Sequence, residues 1–180
     1  MLQESLYLAL PYVGIAAALF FTGLVFGLLK PGIFAPLIEN LFEYAETEII
    51  DKGAFGTFLF IFLHNFIAAL ASIFLGVLVG VLPLAASFMN GSIIGSFAYG
   101  LVESKKVIHL LLLIPHGMFE IPAMLLAWGG GIWFGAFIFR KNREETFTNR
   151  WMRVFMLLAY ILPLLLMAAT IETGIIKLLG

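Results

Sequence analysis

The sequence predicts an all-α fold: a polytopic bundle of about five transmembrane helices, one broken or kinked, with an amphipathic helix at the interface. Three observations predict it. The 180 residues are 62% hydrophobic, with a mean hydropathy of +1.08. Only 12% of them are charged, about half the share found in ordinary soluble domains. The charges are also grouped, which leaves uncharged runs longer than a hydrocarbon core of about 30 Å requires. A chain so poor in polar side chains cannot cover a water-soluble surface, so its main solvent is lipid. The net charge of −1 offers no basic field for nucleic acid. Without cysteine there is no disulfide framework and no thiolate metal site.

The elements follow from the charge-free runs, and together they make one transmembrane domain over residues 1–180. The run from Ser5 to Leu29 predicts span one near residues 6–29. It is long enough to cross and stay, and Glu4 before it gives no basic leader for a cleavable signal. Gly53 to Val102 has no charge over 50 residues, roughly 75 Å of helix, so it must hold two crossings. Proline ends helices, so Pro83 divides this run into span two near 54–82 and span three near 84–102. Val107 to Phe139 carries only Glu120 among its charges and contains Pro115 and Pro122. It is too long for one straight crossing, which predicts a span four near 107–139 that breaks at Pro115, Gly117 and Pro122, with a first half that could re-enter. Span five falls near 154–172.

Between spans one and two, Phe34, Leu37, Ile38, Leu41, Phe42, Ala45 and Ile49 recur at helical spacing, with Glu39, Glu43 and Glu46 opposite. That is an amphipathic helix near 33–50, suited to the membrane interface or to capping the bundle. Basic residues orient the chain. Arg140, Lys141, Arg143, Arg150 and Arg153 belong on the inside, and the acid-rich 30–52 loop outside. Five spans then place the N-terminus inside and the C-terminus outside a cell membrane, with Lys105 and Lys106 outside against the rule. Trp133 and Trp151 fit an aromatic belt at the inner surface.

Few polar residues interrupt the spans: His64, Asn65, Asn90, His116 and Glu120. Each lies about ten residues from the outer end of its span, or roughly 15 Å, so all converge near the midplane. His116 and Glu120 are four apart and share a helical face. With His64 they would make a His-His-Glu set for a divalent metal, the only cofactor the sequence suggests. The same groups also serve as interhelical hydrogen-bonding glue, or as an ion or proton site. Gly76/Gly80, Gly91/Gly95 and Gly131/Gly135, like Gly23/Gly27, are each four apart and lay flat strips along helix faces. Five spans offer more such strips than a small bundle needs, which predicts a homo-oligomer, a dimer in the simplest case.

The middle of the chain resembles the stage II sporulation protein M family, whose members are integral membrane proteins mostly without a known role. The resemblance rests on His64-Asn65, on Gly76, Gly80 and Pro83, on Asn90-Gly91 and Gly95, and most specifically on Ile114-Pro115-His116-Gly117 and Glu120-Ile121-Pro122-Ala123. It implies a multi-pass membrane protein of about five spans and the motif positions His116, Gly117, Glu120 and Pro122. Sporulation members look like scaffolds of a cell-envelope complex whose partners supply the hydrolase activity. Three functions stay open at this point: a non-enzymatic scaffold docking other membrane or envelope proteins, a small transporter or channel using the midplane cluster, and an intramembrane metal-dependent hydrolase.

Overall fold

The computed structural model describes the backbone of residues 1–49, 52–76, 78, 80–105, 108–136 and 146–179, and their side chains except 42, 45–49, 108–114, 116, 147 and 179. Every regular element among them is helical: α1 (Leu2–Leu29), a single 3₁₀ turn at Pro31–Ile33, α2 (Ala35–Ile49), α3 (Ala54–Leu75), α4 (Val81–Glu103), α5 (Ile108–Gly135), α6 (Phe147–Met156) and α7 (Leu158–Leu179). The stretches 2–29, 54–75, 81–103 and 148–178 are each long and apolar enough to cross a membrane. Only 22–33% of the most apolar window in each is buried inside the bundle. Most apolar side chains, Tyr7, Phe21, Phe55 and Ile67 among them, therefore point outward, where only lipid can accept them.

Serine and glycine fasten α1 to α4. The two helices run parallel, with Phe20 beside Gly91 and Leu24 beside Gly95. A Cβ on Gly23 or Gly27 would overlap the backbone of Phe88 or Ser92, and one on Gly91 or Gly95 that of Phe20 or Leu24. Bare backbones can then meet, which is how helices associate where no water drives them together. Ser87 Oγ donates to the Ala16 carbonyl at 2.6 Å, and Ser96 Oγ to the Pro31 carbonyl at 2.7 Å. These cross-helix bonds matter because lipid offers the hydroxyls no other partner.

The break between spans two and three is not at Pro83. Helix α3 ends at Leu75, and α4 begins at Val81, after Gly80 in the left-handed region at φ 71°. Glycine enters that region without a Cβ penalty, so Gly80 makes the turn. Pro83 falls in the first turn of α4, where its missing N–H would have had no helical acceptor anyway.

Nor does α5 break. It is one uninterrupted helix with Pro115, Gly117 and Pro122 inside it. A proline costs a helix one hydrogen bond and some straightness, and packing against neighbouring helices sustains the rest. Here α5 packs against α1, α3, α4 and α7. The last long apolar stretch is made of α6 and α7, which follow one another with Leu157 between them. Its start is capped by the Thr146 side chain, which accepts from the Asn149 amide at 3.3 Å.

The core gathers along α5 and α7. Trp128, Trp133, Phe20, Ile73, Leu157, Ile161 and Leu165 are at most 2% exposed. Trp133 is thus a core residue and not part of an interfacial belt. It is covered by the guanidinium of Arg150, 5.2 Å from the ring centroid, and Trp151 stacks among Phe74, Phe134 and Phe155. The amphipathic segment forms α2 as the periodicity requires. Tyr44 meets Phe60 of α3 at 6.0 Å, while Leu37 and Leu41 stay exposed.

The two ends of the bundle are defined by polar ties. Glu4 at the start of α1 meets Arg153 of α6 at 3.0 Å. At the far end of α7, Lys177 Nζ donates to the Lys52 carbonyl at 2.9 Å, just before α3. Residues 1 and 179 therefore lie at opposite ends.

Candidate functional site: a polar slot between three helices

Three helices build a cavity of about 420 Å³. One face of α3 supplies His64, Asn65, Ala68, Ala71, Ser72 and Leu75. From α4 come Leu82, Ala85, Ala86, Met89 and Asn90, and from α5 Glu120, Met124 and Trp128. Within each helix these residues recur every three to four positions, with adjacent pairs at 64/65, 71/72, 85/86 and 89/90, so each helix contributes a single stripe along its axis. The stripes run along the bundle for about 12–16 Å, which makes the cavity an elongated slot. Helices α3 and α4 are joined by the 76–80 turn and part beyond it, and α5 forms the floor.

Exposure shows where the slot opens. His64 and Leu75 on α3, and Leu82, Ala85, Met89 and Asn90 on α4, are exposed, whereas Asn65 and Glu120 are half-buried and Met124 and Trp128 buried. The mouth is therefore lateral, between α3 and α4, facing the side of the bundle and not either end. Its walls are low because alanines and Ser72 line them. Ser72 Oγ donates to the Ala68 carbonyl at 2.8 Å and Asn90 Nδ2 to the Ala86 carbonyl at 2.8 Å, so both side chains fold back onto their own helices. The His64 ring lies 6.2 Å from that of Phe60.

His64, Asn65, Asn90 and Glu120, drawn from three separated segments, line the same slot. The side chain of His116 lies outside the described residues, so the expected His64, His116 and Glu120 metal set can be placed only in part. Among the described residues no three His, Cys, Asp or Glu are grouped to hold a metal ion.

The glycines that the sequence marks as flat strips meet other helices. Gly76 abuts the backbone of Gly131, Gly80 lies against Ile132, and Gly91 and Gly95 interlock with α1. Gly135 is buried at the end of α5. These strips join helices of one chain, so they do not themselves support a dimer. Sequence reading also missed the small-residue walls and the Trp128 floor. Their signal was present, in Ala68, Ala71 and Ser72 and in Ala85 and Ala86 at helical spacing, but alanine at such spacing is ordinary in any buried helix. Nothing in the sequence marked Arg150 as a residue only 1% exposed.

The family model of stage II sporulation protein M matches residues 12–175. That range contains every residue of the slot. No curated protein and no solved structure matches the chain.

Proposed function

The chain belongs to the stage II sporulation protein M family, and from that premise we propose that it is a non-enzymatic membrane scaffold, an assembly partner in a cell-envelope complex. In this reading its docking face is the slot. Five spans cross the bilayer in this reading, with α5 as the fourth and α6–α7 as the fifth, and the end bearing Arg150 and Arg153 faces the cytoplasm under the positive-inside rule.

One observation carries the reading: an elongated slot with polar groups along its lining opens sideways, partway along the helices, on a bundle otherwise coated with apolar side chains. Acyl chains add no hydrogen bond to His64, Asn90 or Glu120 beyond those made within the chain. A partner's helix can, because its own polar groups would meet them and because alanine walls let its backbone come close. The short connections leave little of the described chain outside the bundle, so partners would reach it through its spans.

Photo-crosslinking in membranes tests this. A photoreactive residue at Ala85 or Met89 should yield an adduct that maps to a transmembrane segment of another protein, and one at Tyr7 on the outer face of α1 should not. Adducts to lipid alone, or the same pattern from all three positions, would remove the docking face.

A second reading has its own support. A carboxylate, an imidazole and two amides converge on a cavity whose volume falls in the usual range for small-ligand sites. The slot would then be part of an ion or solute path. Cation uptake into vesicles containing the purified protein, abolished by Glu120→Gln, would favour that reading over docking.

A further inference from the structure

The segment from Pro31 to Tyr44 meets the bundle at three points, and all three lie inside the ends of the spans. Ser96 Oγ donates to the Pro31 carbonyl at 2.7 Å. Ser96 is seven residues before Glu103, where α4 ends, or about 10 Å along that helix. The Phe34 ring lies 6.2 Å from that of Phe26, which is three residues, about 4.5 Å, short of the end of α1. The Tyr44 ring lies 6.0 Å from that of Phe60, six residues, about 9 Å, inside the start of α3. Helix α3 has 22 residues, roughly 33 Å, hardly more than the hydrocarbon core. Helix α2 therefore does not cap the bundle from above. It lies against the flank, level with the last turns of the spans, at the end opposite the Glu4–Arg153 pair.

Its apolar face is wider than the bundle covers. Phe34 is buried and Ile38 half-buried, which marks the side turned to the bundle. Ile33, Leu37 and Leu41 recur every fourth residue beside that side and stay 61%, 38% and 41% exposed. Glu39 and Glu43 are exposed on the reverse of the helix. At the same end, Leu29 of α1 and Phe55 of α3 are exposed apolar side chains as well, so the flank continues the lipid-facing coat of the spans.

We propose that α2 is an in-plane membrane helix of the leaflet opposite the Arg150 end, with Leu37 and Leu41 among acyl chains and Glu39 and Glu43 among the headgroups of zwitterionic lipid. Level decides the occupant: an apolar flank sunk below the ends of the spans meets hydrocarbon, not water. Charge decides the headgroup. Helices that lie on membranes usually hold anionic lipid with lysine and arginine. Residues 30–52 instead carry Lys30 and Lys52 against Glu39, Glu43, Glu46, Glu48 and Asp51. Anionic headgroups repel such a segment, so its hold on the bilayer comes from the apolar flank. This placement is independent of what fills the slot.

The chain has no cysteine, so single cysteines can report position. Leu41→Cys and Glu43→Cys, each bearing the same small fluorophore, are compared in the full chain in phosphatidylcholine nanodiscs, with Ile67→Cys on the exposed side of α3 as the membrane reference. Nitroxides carried high on the acyl chains should quench the Leu41 label about twofold more than the Glu43 label, and aqueous iodide should do the reverse. With phosphatidylglycerol as half of the lipid at low ionic strength, nitroxide quenching at Leu41 should fall by about half, and high salt should restore it. Iodide reaching both labels alike, or nitroxides quenching both alike, would overturn the placement. So would a Leu41 label sheltered from both quenchers, because a second copy of the chain would then cover the flank. Quenching at Leu41 that ignores lipid charge would overturn the headgroup preference. Leu37→Cys gives the same reading if Leu41→Cys fails to fold.

Discussion

Gly76, which ends α3, lies directly on the backbone of Gly131 of α5, so that a Cβ on Gly76 would overlap the carbonyl oxygen, carbonyl carbon and Cα of Gly131. The contact closes the bundle at the end where α3 turns back into α4. Gly131 is equally confined, by the Ser72 carbonyl and the Pro83 ring. Backbone cannot yield as a flexible side chain can, so Gly76→Val and Gly131→Val should each destabilise the protein by about 1–3 kcal/mol or more. Gly174→Ala, with open space around its Cβ, should be neutral. Thermal aggregation in one detergent compares the three, and a Gly76→Val protein as stable as the parent would show that the helices do not meet there.

Glu120 offers a test of hydrogen bonding within the slot. It is half-buried and holds a partner inside the chain. Glu120→Gln keeps the shape and most of the acceptor capacity, so the folded protein should survive extraction nearly unchanged. Glu120→Leu leaves that partner unsatisfied in a place without water, at a cost of about 1–3 kcal/mol. Unfolding both variants in mixed micelles would show the difference, and equal stability of the two would mean that the carboxyl group does not hold the helices.

Arg150 and Glu4 should differ sharply in weight. The Arg150 side chain is buried with its guanidinium over Trp133 at 5.2 Å. Removing it as Arg150→Ala takes away a cation–π contact and the packing of a long stem, at about 2 kcal/mol or more. The Glu4–Arg153 pair spans 3.0 Å, but the Glu4 side chain is 56% exposed. Solvent and salt screen such pairs, so Glu4→Gln should cost at most about 1 kcal/mol and less at high ionic strength. Melting curves at low and high salt test the ranking, and a Glu4→Gln effect larger than that of Arg150→Ala would reverse it.

Opposite placement of the termini is the clearest consequence of five crossings. Fusing a compartment-sensitive reporter to Met1 and another to Gly180 should report the inside for the first and the outside for the second. The same side for both would mean that one of the helices does not cross, with α5 the first suspect because its beginning contains Pro115. Inside and outside exchanged would instead leave the bundle intact and reverse its orientation.

Membership of the lipid-facing class, the order of helices and the depth of each polar residue are all legible in the sequence. They are one-dimensional properties. An apolar run long enough to cross must cross, and a residue ten positions into a helix lies about 15 Å along it whatever surrounds it. Hence span boundaries alone set His64, Asn65, Asn90 and Glu120 at one level. The tertiary structure decided everything that depends on rotation about a helix axis. It turned the faces of α3, α4 and α5 toward one slot and opened that slot sideways. It turned the glycine pairs inward against each other, and it laid Arg150 on Trp133. Rotation was hidden because lipid is as apolar as the core: a phenylalanine facing outward costs no more than one facing inward, so hydrophobicity alone cannot say which side of a membrane helix is buried. The turn at Gly80 and the unbroken α5 were hidden for a related reason. A proline forbids one hydrogen bond, but whether the chain turns there depends on the helices packed around it and on whether a glycine nearby can turn more cheaply.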